Sequence, residues 1–320
     1  MRKLRKLIIQ IPCYNESKTL KIALNQIPRH MDGFECVELL IIDDGSDDNT
    51  AEIAKECNVE HIVRHHSNLG LARAFITGLH TALAAGADVI VNTDADNQYC
   101  AQDICKLVSP ILSGEAEYVI GTRPIADIPH FSPIKKLLQK FGSFMVRKLS
   151  GTSVEDAPSG FRALSRDAAM KMNVFNDYTY TLETIIQAGY KNMQIKCVPI
   201  RVNEDLRPSR LVKSIPKYIQ RSIFTMIRTA VLYHPFRFFF SCGIINIIIG
   251  TTISCRFLWY YFQNAGSGKI QSLILAAVLL LAGFISCMIA FIADLLAVNR
   301  KLLEEVQHSQ RMNFFSRKTQ

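Results

Sequence analysis

Val89-Ile90-Val91-Asn92 runs straight into Thr93-Asp94-Ala95-Asp96-Asn97-Gln98. The first four residues are uncharged and mostly β-branched, the pattern of a strand buried on both faces. The next six place two carboxylates at the strand's end. Two earlier stretches repeat the design: Leu7–Ile11 leads into Pro12-Cys13-Tyr14-Asn15-Glu16, and Val37–Ile42 into Asp43-Asp44-Gly45-Ser46. Helical spacing lies between them. Leu20, Ala23, Leu24 and Ile27 fall on one face of a helix, and so do Leu71, Ala74, Phe75, Gly78, Leu79 and Ala82. A further apolar run, Tyr118–Gly121, follows. Strands alternating with amphipathic helices predict a doubly wound, mostly parallel α/β sheet. Ligands of such sheets lie outside the carboxyl ends of the strands, so the three acidic clusters are expected to line one crevice. Carboxylates packed that closely repel one another unless a cation lies between them. Mg²⁺ is commonly held by one or two carboxylates plus substrate phosphates.

The whole chain has 320 residues, enough for about two domains. Lys plus Arg outnumber Asp plus Glu by 37 to 28, a balance of +9 that suits an anionic partner. Nine scattered cysteines include no Cys-x-x-Cys pair, which predicts reduced thiols in a cytosolic setting and no structural zinc. The opening MRKLRKLIIQIPCYNE imitates a signal peptide, but Gln10 and Pro12 break its apolar run below the roughly 7–15 residues a cleavable signal needs. Gly266-Ser-Gly-Lys269 lacks the first Gly and the Ser/Thr of a P-loop, and no Gly-x-Gly-x-x-Gly is present.

Beyond residue 235 the chain changes character. Phe236–Ile253, extended by the aromatic cluster around Trp259, and Ile270–Ala293 each reach the ~20 residues of a membrane helix. The connecting Gln263–Lys269 carries one lysine, whereas Lys213, Lys217, Arg221, Arg228 and Arg237 precede the pair and Arg300, Lys301, Arg311, Arg317 and Lys318 follow it. The positive-inside rule then places the large domain and both termini in the cytoplasm. Those basic residues flank a span, so anionic lipid suits them and nucleic acid does not. Between domain and spans, Lys217, Arg221 and Arg228 share one helical arc and Ile215, Ile219, Ile223 and Met226 another, the pattern of a helix lying in the membrane interface. The expected divisions are 1–212 for the catalytic domain, 213–234 for the interfacial helix and 235–320 for the membrane domain, with spans about 236–262 and 270–293. Gly243, Gly250 and Gly283 offer close-packing positions to other helices, including those of a second copy.

In order, Pro-x-Tyr-Asn-Glu, Asp-Asp-Gly-Ser, Asn68-x-Gly70 and Asp-Ala-Asp-x-Gln resemble the family 2 glycosyltransferases of GT-A fold. Gly121-Thr122-Arg123, Asp156-Ala-Pro-Ser-Gly-Phe-Arg-Ala-Leu164 and Ser209-Arg210-Leu211 resemble the dolichyl-phosphate mannose synthase branch. The two spans resemble the bacterial polyprenyl-phosphate glucosyltransferases. That resemblance implies an inverting transfer of one sugar from a nucleotide-sugar, with a UDP-sugar favoured, to polyprenyl phosphate, aided by Mg²⁺ or Mn²⁺. It assigns Pro12, Tyr14 and Glu16 to the nucleobase, and Asp43 and Asp44 to base and ribose. It assigns Asp94, Asp96 and Gln98 to metal and diphosphate, Arg123 to the phosphates and Asp156 to the acceptor side. It leaves open which of Arg207 and Arg210 meets the diphosphate, because Arg207 stands where the family commonly has Gly. Catalytic weight is expected on Asp96, Asp156 and Arg123. Two alternatives are a processive polysaccharide synthase and an inactive scaffold. The first wants a Gln-x-x-Arg-Trp segment, but the one tryptophan, Trp259, lies in the membrane region. Intact Asp94 and Asp96 oppose the second.

Overall fold

The structure, a computed structural model, describes residues 6–124, 133–174, 179–204, 220, 223–224, 227–228, 231–263 and 270–317. Its strands are β1 (Lys6–Cys13), β2 (Cys36–Asp43), β3 (His61–Arg64), β4 (Val89–Asn92), β5 (Tyr118–Thr122), β6 (Arg162–Ser165) and β7 (Ile195–Pro199). They form one sheet in the order β3-β2-β1-β4-β6-β5-β7. β1 pairs in parallel with β2 from Lys6↔Cys36 to Cys13↔Asp43 and, on its other edge, with β4 from Leu7↔Val89 to Gln10↔Asn92. β6 runs antiparallel to both neighbours, while β7 returns parallel to β5. The expected parallel character therefore holds for β3 to β4 and is interrupted once, at β6.

The buried runs have a simple cause. Leu7, Ile8, Ile9 and Ile11, Leu39 to Ile42 and Val89 to Val91 are all fully enclosed, because α1 (Leu20–Gln26), α2 (Thr50–Glu56), α3 (Leu71–Ala84) and α4 (Ile104–Leu112) pack on the sheet. Strands covered on both faces lose the polar alternation of one-sided sheets. Each such side chain contributes about 1.5–3 kcal/mol through burial. Further on lie α5 (Pro133–Ser150), α6 (Arg166–Lys171) and α7 (Thr181–Tyr190).

The chain divides into two compact units, one of residues 1–226 with 308–320 and the other of residues 227–307. The second unit holds α8 (Pro235–Phe262) and most of α9 (Ile270–Arg317). Both are long and apolar enough to cross a membrane, with mean hydropathies of 1.8 and 2.8 over their most apolar windows. Only 11% and 17% of those windows is buried, unlike core helices. The helix that holds the expected second span, about 270–293, runs on to Arg317, with no Gly or Pro after Gly283. The glycines act within the chain. A Cβ on Gly243 would lie 2.6 Å from Cys287 Sγ and 2.9 Å from the Gly283 carbonyl, and one on Gly250 would lie 2.9 Å from Leu280 Cγ. They let α8 and α9 approach each other. Of the expected interfacial helix, residues 220, 223, 224, 227, 228 and 231–233 are described and helical, and Ile223 and Phe224 are exposed.

Candidate active site

The carboxyl ends of β1, β2 and β4 point the same way, so the three acidic loops meet at one edge of the sheet. The first two are laced together. Asn15 N donates to Ser46 Oγ at 2.9 Å, Asp47 N to Asn15 Oδ1 at 2.9 Å, and Glu16 N to Thr50 Oγ1 at 2.9 Å. Asn15 takes a positive φ of 55° to make this turn, a conformation asparagine tolerates. Pro12 is buried in the strand, Glu16 is buried with Oε2 accepting from Thr19 Oγ1 at 2.9 Å, and Tyr14 presents its ring to solvent.

The acidic pair after β2 faces inward. Asp43 is fully enclosed, its Oδ1 accepting from Ser46 N at 2.9 Å and its Oδ2 lying 3.2 Å from Arg64 Nε. Asp44 accepts from Leu69 N and Gly70 N at 2.9 and 2.8 Å and contacts His65 Nδ1 at 2.7 Å. Asp44 thereby ties the Asn68-x-Gly70 segment to the end of β2.

Asp94 stands at the end of β4. A Cβ on Gly160 would lie 3.1 Å from both of its carboxylate oxygens, so the Asp156–Gly160 loop seats Asp94 closely and a side chain there would make Asp94 shift. Burial, followed by the charge of Asp96, pushes the Asp94 carboxyl up to about 7. Asp94 is itself half-buried, and a carboxylate raised by desolvation and by its neighbour's charge is what a cation would relieve. Among the described residues, no three His, Cys, Asp or Glu side chains are grouped to enclose a metal. The donor set instead suits a hard cation that takes two carboxylates from the protein and completes its shell with phosphate oxygens and water. Asp96 and Gln98 are half-buried on the same loop, with Gln98 N donating to Asp96 Oδ1 at 3.2 Å.

Arg123, at the end of β5, grips Asp156. Its Nε and Nη2 donate to the two carboxylate oxygens at 2.7 and 2.9 Å, and its backbone N at 3.2 Å. Asp156 is fully buried and Arg123 nearly so. Both oxygens of Asp156 are thus engaged by Arg123. Arg207 and Arg210 lie outside the described residues.

Three groups of supporting residues escaped the sequence reading. Arg162 is wholly buried behind the site. It donates to the Ser159 and Ala157 carbonyls at 2.6 and 2.8 Å, to Thr181 O and Thr184 Oγ1 at 3.0 and 2.7 Å, and to Tyr118 Oη. It clamps the loop that carries Asp156 and Gly160. Asn203 Nδ2 donates to the Asn97 and Tyr99 carbonyls at 2.9 and 3.2 Å, and Arg201 pairs with buried Asp103 at 2.7 Å, so residues 201–203 strap the Asp96–Asp103 segment. His65 is the third. The available signal was a basic residue, Arg162, inside an apolar stretch.

A doubly wound sheet with a carboxylate pair at the end of a central strand fits the GT-A class of glycosyltransferases. The chain belongs to glycosyl transferase family 2, whose model matches residues 8–172. It is 34% identical over 213 residues to the UDP-N-acetylglucosamine–dolichyl-phosphate N-acetylglucosaminyltransferase of Methanococcus voltae, covering 60% of this chain and 83% of that one. It is 25% identical over 215 residues to the polyprenol monophosphomannose synthase of Mycolicibacterium smegmatis, covering 64% and 80%. Among solved structures, glucosyl-3-phosphoglycerate synthase from Mycobacterium tuberculosis, in complex with Mn²⁺, UDP-glucose and phosphoglyceric acid, shares the fold. The TM-score is 0.57 at 22% identity, over 71% of this chain and 80% of that one.

Proposed function

We propose that this glycosyltransferase is anchored in a membrane and moves one sugar, with inversion, from a nucleoside diphosphate to polyprenyl phosphate. The observation that carries the reading is the Asp94–Asp96 pair, charged against itself at the end of β4 and seated on Gly160. Asp94 and Asp96, with Gln98 beside them, would hold Mg²⁺ or Mn²⁺, which supplies Lewis-acid neutralisation of the diphosphate leaving group. Pro12, Tyr14 and Glu16 form the nucleobase wall, and Asp43 and Asp44 fix the loop beneath the ribose. Arg123, held by Asp156, supplies a fork of donors to phosphate oxygens. Arg207 and Arg210 are assigned to a loop closing over the donor. The acceptor is a phosphate monoester with a second pKa of about 6, already anionic at neutral pH. It needs no strong base, which agrees with Asp156 being committed to Arg123.

The names of the relatives support a lipid-phosphate acceptor, and the first of them supports a UDP-sugar donor. Segments on both sides of the helix pair, 1–226 and 308–320, belong to one compact unit. An even number of crossings returns the chain to the side it left, so this supports two spans with both flanking segments on one side, and the charge bias favours the cytoplasmic side. The test is to incubate membranes containing the protein with polyprenyl phosphate and a panel of radiolabelled nucleotide sugars. Label is expected in an organic-phase lipid that releases the sugar on mild acid treatment. Efficient transfer to a free sugar hydroxyl, independent of lipid phosphate, would support the polysaccharide synthase instead.

A further inference from the structure

Asp43 and Asp44 end β2, and the residues that end its neighbour, Arg64 and His65, meet them one to one. Arg64 Nε lies 3.2 Å from Asp43 Oδ2, and Arg64 Nη2 donates to the Ser46 carbonyl at 2.7 Å. His65 N donates to the Asp43 carbonyl at 2.8 Å, which fixes the backbone. The His65 ring then lies between two groups: Nδ1 is 2.7 Å from Asp44 Oδ1 and Nε2 is 3.0 Å from Thr77 Oγ1 on α3. Two backbone N–H groups, those of Leu69 and Gly70, already donate to the Asp44 carboxylate. That carboxylate is therefore an acceptor, and Nδ1 of His65 carries the proton toward it. The His65 and Asp44 side chains are 9% and 5% exposed, so water does not replace the contact.

We infer that His65 is a positioning residue of the donor site, an inference that rests on the function proposed above. It acts through Asp44. The imidazole, braced by Thr77, holds the carboxylate in the plane that receives Leu69 N and Gly70 N, and so fixes the turn into α3 against the end of β2. The nucleobase loop is laced to the same β2 end through Ser46 and Asp47. Loss of His65 frees Asp44 to rotate and loosens the nucleoside wall. Asp94, Asp96 and Arg123 stand beyond β1, on the loops of β4 and β5, and keep their own supports. The defect is therefore one of donor affinity and not of the transfer step.

The experiment takes the nucleotide sugar of the panel that labels lipid best and measures its steady-state transfer to undecaprenyl phosphate by the full chain in membranes, with Mn²⁺, alongside thermal unfolding of each variant. His65→Ala is expected to raise the donor KM by about tenfold, the scale of one lost hydrogen bond to a charged group, with kcat within about twofold. His65→Asn places an amide nitrogen near the Nδ1 position and is expected to restore most of the donor affinity. Thr77→Val, which removes only the brace, is expected to fall between wild type and His65→Ala. A lowered melting temperature with an unchanged donor KM in His65→Ala overturns the inference, as does a His65→Asn variant no better than His65→Ala. A wild-type chain that labels no lipid from any nucleotide sugar overturns the proposed function and this inference together, which separates the two failures.

Discussion

The guanidinium of Arg123 and the carboxylate of Asp156 form a two-pronged ion pair, 2.7 and 2.9 Å long, with the acid wholly shielded from solvent. Removing one partner from such a pair strands a buried charge and costs about 3–5 kcal/mol, whereas replacing both with apolar residues is often neutral. Asp156→Asn is therefore expected to lower unfolding stability by about that amount and to abolish transfer. The double variant Arg123→Met/Asp156→Leu should regain most of the stability and none of the activity. Denaturant unfolding and lipid labelling on the same preparations check both halves. A stable, active Asp156→Asn variant would remove the positioning role.

Gly160 is the seat of Asp94. A methyl group there would press on both carboxylate oxygens at 3.1 Å and on Tyr180 Oη at 3.3 Å. Gly160→Ala should cost little stability, because Asp94 can swing outward, but transfer should fall by at least about tenfold, since a misplaced electrostatic group loses 1.4 kcal/mol or more. Gly142→Ala, with nothing within 4 Å of the new Cβ in α5, should be neutral or slightly stabilising.

How much of this was legible follows the physics of burial. Val89–Asn92 matches β4 residue for residue, and Leu7–Ile11 and Val37–Ile42 fall inside β1 and β2, because strands covered on both faces leave long apolar runs. β3, β6 and β7 were not legible. His61–Arg64 is an edge strand of four residues, Ile195–Pro199 at the other edge is a five-residue strand carrying Lys196 and Pro199, and Arg162–Ser165 begins with a buried arginine whose partners are backbone carbonyls and hydroxyls. The positions of Asp94 and Asp96 followed from order and spacing. The hydrogen bonds that Asp43 and Asp44 accept did not, since nothing local marks a carboxylate that receives backbone N–H groups of a distant loop.

Asp103 yields a pH prediction. Burial alone would raise its pKa, but hydrogen bonds from Arg201 and Lys106 hold it down to about 2. A carboxylate with a depressed folded-state pKa stabilises the fold above its unfolded value of about 3.9, and loses that contribution as pH falls toward the folded value. Wild-type stability should therefore drop between about pH 4 and pH 2 more steeply than that of Asp103→Asn. The variant should be less stable at pH 7, where Arg201 lacks its partner. Parallel pH dependences for the two proteins would contradict this.

In the helix pair, Gly243→Val would drive a side chain into Cys287 Sγ and the Gly283 carbonyl, which a Cβ would approach to 2.6 and 2.9 Å. Forced separation of packed helices costs about 1–3 kcal/mol. A lower melting temperature in detergent is expected for Gly243→Val, and no comparable loss for a Leu281→Val change on the exposed face.

The most direct measurement compares wild type with Asp94→Asn and Asp96→Asn for Mn²⁺-dependent transfer of label into undecaprenyl phosphate from each of a panel of nucleotide sugars, with folding checked by thermal unfolding. The account predicts lipid labelling by wild type that a chelator abolishes, and at least a hundredfold loss in both folded variants, of the order of removing one electrostatic stabiliser of a transition state, about 10²–10³. Undiminished, chelator-resistant labelling by either variant would contradict it.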